Sequence, residues 1–263
     1  DSAWLYLAGS LTRDYGSGYP LYMQNVAFQA KQLETVLGGN AERQRGLIFF
    51  QPPMAGSLGE GVTGGVSESE DGTAAPIVKG FVEPNPAFWR EMLRIVRYTA
   101  DGFKKHGLFP EDIEEFGTLT RFSKRLERCA VLSEKELAGQ PLTDDEYEFI
   151  RLFTLDFMAA PVEGGLHADH RAALVTDIWT EDTNLAHGRP STVYEANAEP
   201  QLMLVLVGND KSPRLTVGLA YNHYEIIAPY GLRLTDEMWR KLVYSGRDDQ
   251  ATDPKSKLPP KNF

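Results

Sequence analysis

The chain of 263 residues is 42% hydrophobic and 24% charged, ordinary for a globular protein and enough to bury one large core or two modest ones. Its formal net charge of −10 argues against a nucleic-acid partner, because no Lys/Arg cluster is dense enough to reverse that field. Cys129 is the only cysteine, which excludes an intrachain disulfide and a cysteine-rich zinc site, and no apolar run reaches the roughly 18 residues of a membrane span.

Taken in chain order, residues 1–20 carry Gly9, Gly16, Gly18 and Pro20 among aromatics and read as an extended arm. The spacing then predicts a helix from Leu21 to Leu37, with Phe28 and Leu33 on its apolar side and Gly38-Gly39 as its permissive end. Asn40 can cap a short helical piece before the apolar run Leu47-Ile48-Phe49-Phe50. Residues Pro52 to Pro76 are rich in Gly, Ser and acids and read as a surface loop.

Ile77 to Val82 is predicted as a strand. The clearest helix start follows: Asn85 can cap, and Pro86 fits the first turn because its missing N–H would be unpaired there anyway. Phe88, Met92, Ile95 or Val96, Thr99 and Phe103 recur at helical spacing until Gly107 and Pro110. A second helix is predicted from Glu111 to about Leu137, burying Ile113, Phe116, Leu119, Phe122, Leu126 and Cys129, with Gly139-Gln140-Pro141 breaking it. Thr143 with Glu146 forms a capping box for a third, Asp144 to about Met158.

The hydrophobic period changes near Gly164-Gly165. Ala172 to Trp179, Leu202 to Val207, Arg214 to Tyr221 and Tyr224 to Ala228 are short, rich in branched and aromatic residues, and separated by turn residues. Thr235 caps a final helix through Val243, and Arg247 to Phe263 reads as a polar, Pro-rich arm. The fold class is therefore α+β in a single unit: a helical layer (about 20–160) packed on a small antiparallel sheet (about 172–228) with a C-terminal helix.

Three groups of residues can carry chemistry. The acidic loop Asp177 to Asn184 concentrates oxygen donors of the kind calcium takes, with Asp177, Thr180 and Asp182 as its ligands; a solvated turn is the plainer reading. His167, Asp169 and His170 place two imidazoles around a carboxylate, a donor set for zinc that still needs a third ligand from elsewhere. Strand alternation puts Tyr221, His223 and Glu225 on one face, as a binding surface or a half-buried sheet face with polar tips. Gly-x-Ser-x-Gly, His-Glu-x-x-His and Gly-x-x-x-x-Gly-Lys are all missing from the sequence.

Several segments together resemble a secreted prokaryotic family known as domain of unknown function 3160. They are Gln24 to Gly38 with Ala41-Glu42-Arg43-Gln44-Arg45, Val82-Glu83-Pro84-Asn85-Pro86 with Phe88-Trp89, and Leu137 to Thr143 with Glu146-Tyr147. Leu174-Val175-Thr176-Asp177 with Thr180 and Arg233 to Glu237 with Trp239 complete the set, in order over about residues 21–245. Where the family usually has a histidine this chain has Trp179, and an acidic position near Arg45 is not kept. The resemblance implies a cell-envelope or extracellular protein and no established activity. It also implies that this chain corresponds to the C-terminal part of something longer.

These readings lead to a non-catalytic, extracellular or cell-envelope structural or association protein. Its expected partner is another protein or the N-terminal fragment of the same precursor, and calcium is its one expected cofactor. The competing class is a metal-assisted hydrolase built on His167, Asp169 and His170.

Overall fold

The computed structural model describes residues 2–48, 79–108, 114–153, 173–183, 188–208 and 213–244. The expected loop at 52–76, the C-terminal arm and the end of the third predicted helix lie outside them. The described elements are α1 (Ser2–Leu11), a 3-10 turn (Leu21–Gln24), α2 (Val26–Ile48), α3 (Pro86–Lys105), α4 (Glu114–Leu137), α5 (Asp144–Leu152), β1 (Leu174–Glu181), β2 (Ser191–Asn197), β3 (Gln201–Val207), β4 (Arg214–Ala220), β5 (Tyr224–Pro229) and α6 (Asp236–Tyr244). The class is α+β, with two small antiparallel sheets ordered β1-β2-β5 and β3-β4. By its internal packing the chain divides into two compact units. One takes in α1, the 3-10 turn, α3 to α5 and residues 204–207 and 214–217; the other takes in α2 from Ala27, β1, β2, β5, α6 and the remaining ends of β3 and β4.

In the first unit the predicted cap at Asn85 also joins two helices. Its Oδ1 accepts from the Phe88 N–H at 3.3 Å, closing the first turn of α3, while its Nδ2 donates to Ser10 O and Tyr15 Oη, each at 2.9 Å. A side chain 1% exposed can be polar here because every bond it needs is made. The apolar face of α3 meets α4 through Leu93, Val96 and Leu126, with Met92, Leu119 and Phe122 at the margin. A second cluster, Val82, Leu132, Leu142 and Tyr147, seats α5. Its capping box is complete: the Glu146 N–H reaches Thr143 Oγ1 at 3.3 Å, and the Thr143 N–H reaches Glu146 Oε2 at 2.9 Å. Gly139, at φ 65°, turns the chain out of α4.

The second unit is a three-stranded sheet with helices on both faces. Pairing β1 to β2 to β5 brings Val175, Ala196 and Tyr224 into one row and Asp177, Tyr194 and Ile226 into the next. These rows share a face, and α6 covers part of it through Trp239, which is fully buried against Tyr224 and donates Nε1 to Asn197 O at 2.5 Å. The opposite face carries Thr176, Glu195 and Glu225, then Trp179, Val193 and Ile227. A shift of register between Asp177 and Trp179 bulges β1, leaving Ile178 unpaired.

Five local expectations are corrected. Residues 2–11 are helical, not an extended arm: the run Ala3 to Ala8 favours helix, and burial of Leu7 and Leu11 offsets the roughly 1 kcal/mol that Gly9 costs inside it. The helix expected to stop at Gly38-Gly39 continues to Ile48, so Asn40 lies inside α2 rather than capping a new piece. Its inward face carries Gln32 between Phe28 and Ala41, while Leu33, expected on the apolar side, is exposed. Lys79 to Val82 is irregular rather than a strand, because the carbonyls of Lys79 and Gly80 both accept from the Arg214 guanidinium, at 2.7 Å each, instead of from a ladder. Finally, the expected single sheet is two, and it gains β2, a strand absent from the expectation.

Candidate functional site

Two polar regions of the second unit combine buried or fixed groups with access. The first is a cleft of about 840 Å³ on the α6 face of the sheet. Its floor is held by Asp236, the first residue of α6. Arg45 donates to Asp236 Oδ2 through Nε at 3.1 Å and Nη2 at 2.6 Å, and the Val175 N–H reaches Oδ1 at 3.0 Å. Arg240 donates Nε to Ala173 O at 3.0 Å. Tyr194 Oη donates to Leu232 O at 2.8 Å and accepts from the Leu234 N–H at 3.3 Å, which fixes the segment leading into α6. Thr180 and Thr192 lie opposite each other across β1 and β2 with their hydroxyls 3.3 Å apart. Asp177, Tyr230 and Arg233 are exposed along the same cleft.

The second region is the polar layer between α2 and the other face of the sheet. Asn40 Nδ2 donates to Glu195 Oε2 at 3.0 Å, and Asn197 Nδ2 donates to Gly38 O at 3.0 Å. His223 Nε2 stands 3.9 Å from Glu195 Oε1, too far for a hydrogen bond, and makes none among the described residues. Burial pushes the His223 imidazolium below its ordinary pKa against the pull of Glu195, Glu225 and Glu34. Glu42 is pushed up by burial, although Tyr221 and Asn197 hydrogen-bond its carboxylate. Asn197 Oδ1 and Thr176 Oγ1 are buried without a hydrogen-bond partner among the described residues.

The predicted site residues distribute as follows. Asp177 and Thr180 both line the cleft, brought to one face by the bulge between them, whereas Asp182 is exposed in the turn after β1 and is not part of the lining. Tyr221 and His223 precede β5, and Glu225 lies within it opposite Glu195. His223 joins the polar layer through Glu195, and Tyr221 through Glu42. His167, Asp169 and His170 lie outside the described residues. Among the described residues no group of three or more His, Cys, Asp or Glu side chains is arranged to hold a metal ion. Likewise, no described helix is long and apolar enough to cross a membrane.

Sequence reasoning missed Glu195, Asn197, Thr192 and Tyr194, because all four sit on β2. That strand reads Ser-Thr-Val-Tyr-Glu-Ala-Asn and is buried along its whole length, so alternation cannot reveal it. Its one signal is the pair of turn segments that bound it.

The chain belongs to the family described as Protein of unknown function (DUF3160), whose family model matches residues 2–254. No curated protein and no solved structure matches the chain.

Proposed function

We infer that this protein acts by association, docking a protein partner on the aliphatic face of the β3–β4 hairpin. The observation that carries the reading is a set of four side chains of the first unit, Leu204, Leu206, Leu215 and Val217, each 60% or more exposed. Alternation along each strand aligns the two on β3 and the two on β4. Val205 and Thr216, the more covered residues between them, are joined by the Thr216 Oγ1 bond to Val205 O. The four aliphatics therefore occupy the exposed face together.

Among the described residues of β3 and β4 that face holds no charge and no hydrogen-bonding side chain, which selects for an apolar protein surface over a polar ligand. A two-stranded hairpin is also marginal by itself and gains from a covering layer. The partner is a separate protein, met at the cell envelope or outside the cell, the setting expected from the sequence resemblance.

A photo-crosslinking amino acid at Val217, introduced in the native host, tests this. The expected product is one discrete crosslinked polypeptide, which mass spectrometry identifies, and which disappears when Leu204 is replaced by Asp. Val217 yielding no more product than the same probe at the exposed, charged position Lys241 would overturn the reading.

A further inference from the structure

We propose that the cleft beside α6 binds a neutral oligosaccharide. Its volume of about 840 Å³ falls within the range of roughly 300–1,000 Å³ usual for small-ligand sites. The class of ligand follows from what the lining offers and what it withholds.

Anions are poorly served. Arg45 is committed to Asp236 at 2.6 Å and Arg240 to the Ala173 carbonyl at 3.0 Å, while Asp177, Asp236 and Glu237 bring three carboxylates to the same lining. A phosphate or sulfate group needs cationic donors whose charge is not already answered, and here the acids balance the arginines. Apolar ligands are poorly served as well, since the cleft is walled mainly by charged and hydroxyl-bearing residues.

A sugar fits both restrictions. It carries no charge, it donates and accepts through every hydroxyl, and it presents an apolar ring face. Asp177 supplies an exposed acceptor and Arg233 an exposed donor on the same cleft. Tyr230 offers an exposed ring on which a pyranose can stack. Thr180 and Thr192, 3.3 Å apart, add two hydroxyls fixed by the strand pairing. Because Arg45, Asp236 and Tyr194 are already bonded to the backbone or to each other, the wall is set before a ligand arrives, which lowers the ordering cost of binding. The site is separate from the hairpin face and does not depend on it.

Isothermal titration of the full chain with cellohexaose, maltohexaose and chitohexaose, and with inorganic phosphate as a fourth titrant, tests the proposal. One neutral hexasaccharide is expected to bind, and Tyr230→Ala and Asp177→Ala are each expected to weaken it at least tenfold with unchanged melting temperature. Thr180→Val is expected to weaken it several-fold, which keeps the test intact should either first variant unfold. No heat with any of the three sugars, binding that all three variants leave untouched, or binding of phosphate alone would each overturn it.

Discussion

Arg45 and Asp236 lie 191 positions apart in sequence and are joined by two charge-assisted hydrogen bonds, at 3.1 and 2.6 Å, to a single carboxylate oxygen. The second oxygen of Asp236 takes the Val175 N–H at 3.0 Å, so one side chain ties α2, β1 and α6 together. Both partners are part-exposed, which moderates the worth of the pair. Loss of Arg45 to Ala should cost about 1–2 kcal/mol. Replacing Asp236 by Ala should cost more, because a backbone N–H near the sheet loses its partner as well. Urea unfolding of the two single variants and the double variant checks both the order and the coupling; equal costs would show that the Val175 bond contributes nothing.

Gly38 explains why α2 does not end where two successive glycines suggest. A Cβ there would lie 3.1 Å from Asn222 O, 3.2 Å from Asn197 Oδ1 and 3.3 Å from the Tyr221 ring. The turn it faces is held by Asn222, which donates to Glu199 O at 2.5 Å and accepts from the Ala198 N–H at 2.7 Å, so it yields poorly. Ala at this position gains about 1 kcal/mol of helix propensity and loses about 1–3 kcal/mol to overpacking. A net destabilisation is expected for Gly38→Ala and a larger one for Gly38→Val, measured as a lowered midpoint of thermal unfolding. A raised midpoint for the alanine variant would contradict the close approach.

That glycine also marks the boundary of what can be read from sequence. Local signals survived folding where they are satisfied locally: the cap at Asn85, the Thr143–Glu146 box, the turn at Gly139 and the Thr235 cap of α6, whose Oγ1 accepts from the Met238 N–H at 3.3 Å. Signals failed where a distant partner decides. Gly38 reads as a stop because nothing local reveals Asn222 across the gap. Gln32 and Asn40 look like surface residues of α2, yet one is buried and the other donates to Glu195, 155 positions away. For the cleft, Asp177, Thr180 and the Arg233 to Glu237 segment were legible as polar concentrations. Arg45 and β2 were not, since their place depends on strand order and on a helix end from another part of the chain.

Cys129 gives a direct probe of the first unit. The thiol is 2% exposed, and burial pushes its pKa up to about 12. Alkylation requires the thiolate, so at pH 8 the folded protein should resist iodoacetamide and react only through opening. Labelling should accelerate by orders of magnitude in denaturing urea. Rapid labelling of the native protein at the free-thiol rate would mean that α4 is not packed as described.

The polar layer around His223 and Glu42 should make stability depend on pH from both sides. For His223 the folded pKa lies below the unfolded one, so its contribution is present above the unfolded value near 6.5 and is lost as pH falls through the folded value. For Glu42 the folded pKa lies above the unfolded one, so its contribution is present at acid pH and is lost as pH rises through the folded value. The charged groups that face the imidazole, Glu195, Glu225 and Glu34, oppose its depression without reversing it. The expected outcome is that Glu42→Gln raises the melting temperature at pH 8 and leaves it unchanged at pH 4. His223→Gln should do the reverse, flattening the loss of stability as pH falls below 6.5 while changing little at pH 8. Melting curves across pH 4 to 8 for both variants decide it, and a Glu42→Gln protein less stable than the parent at pH 8 would mean that the bonds from Tyr221 and Asn197 outweigh the cost of burying that carboxylate.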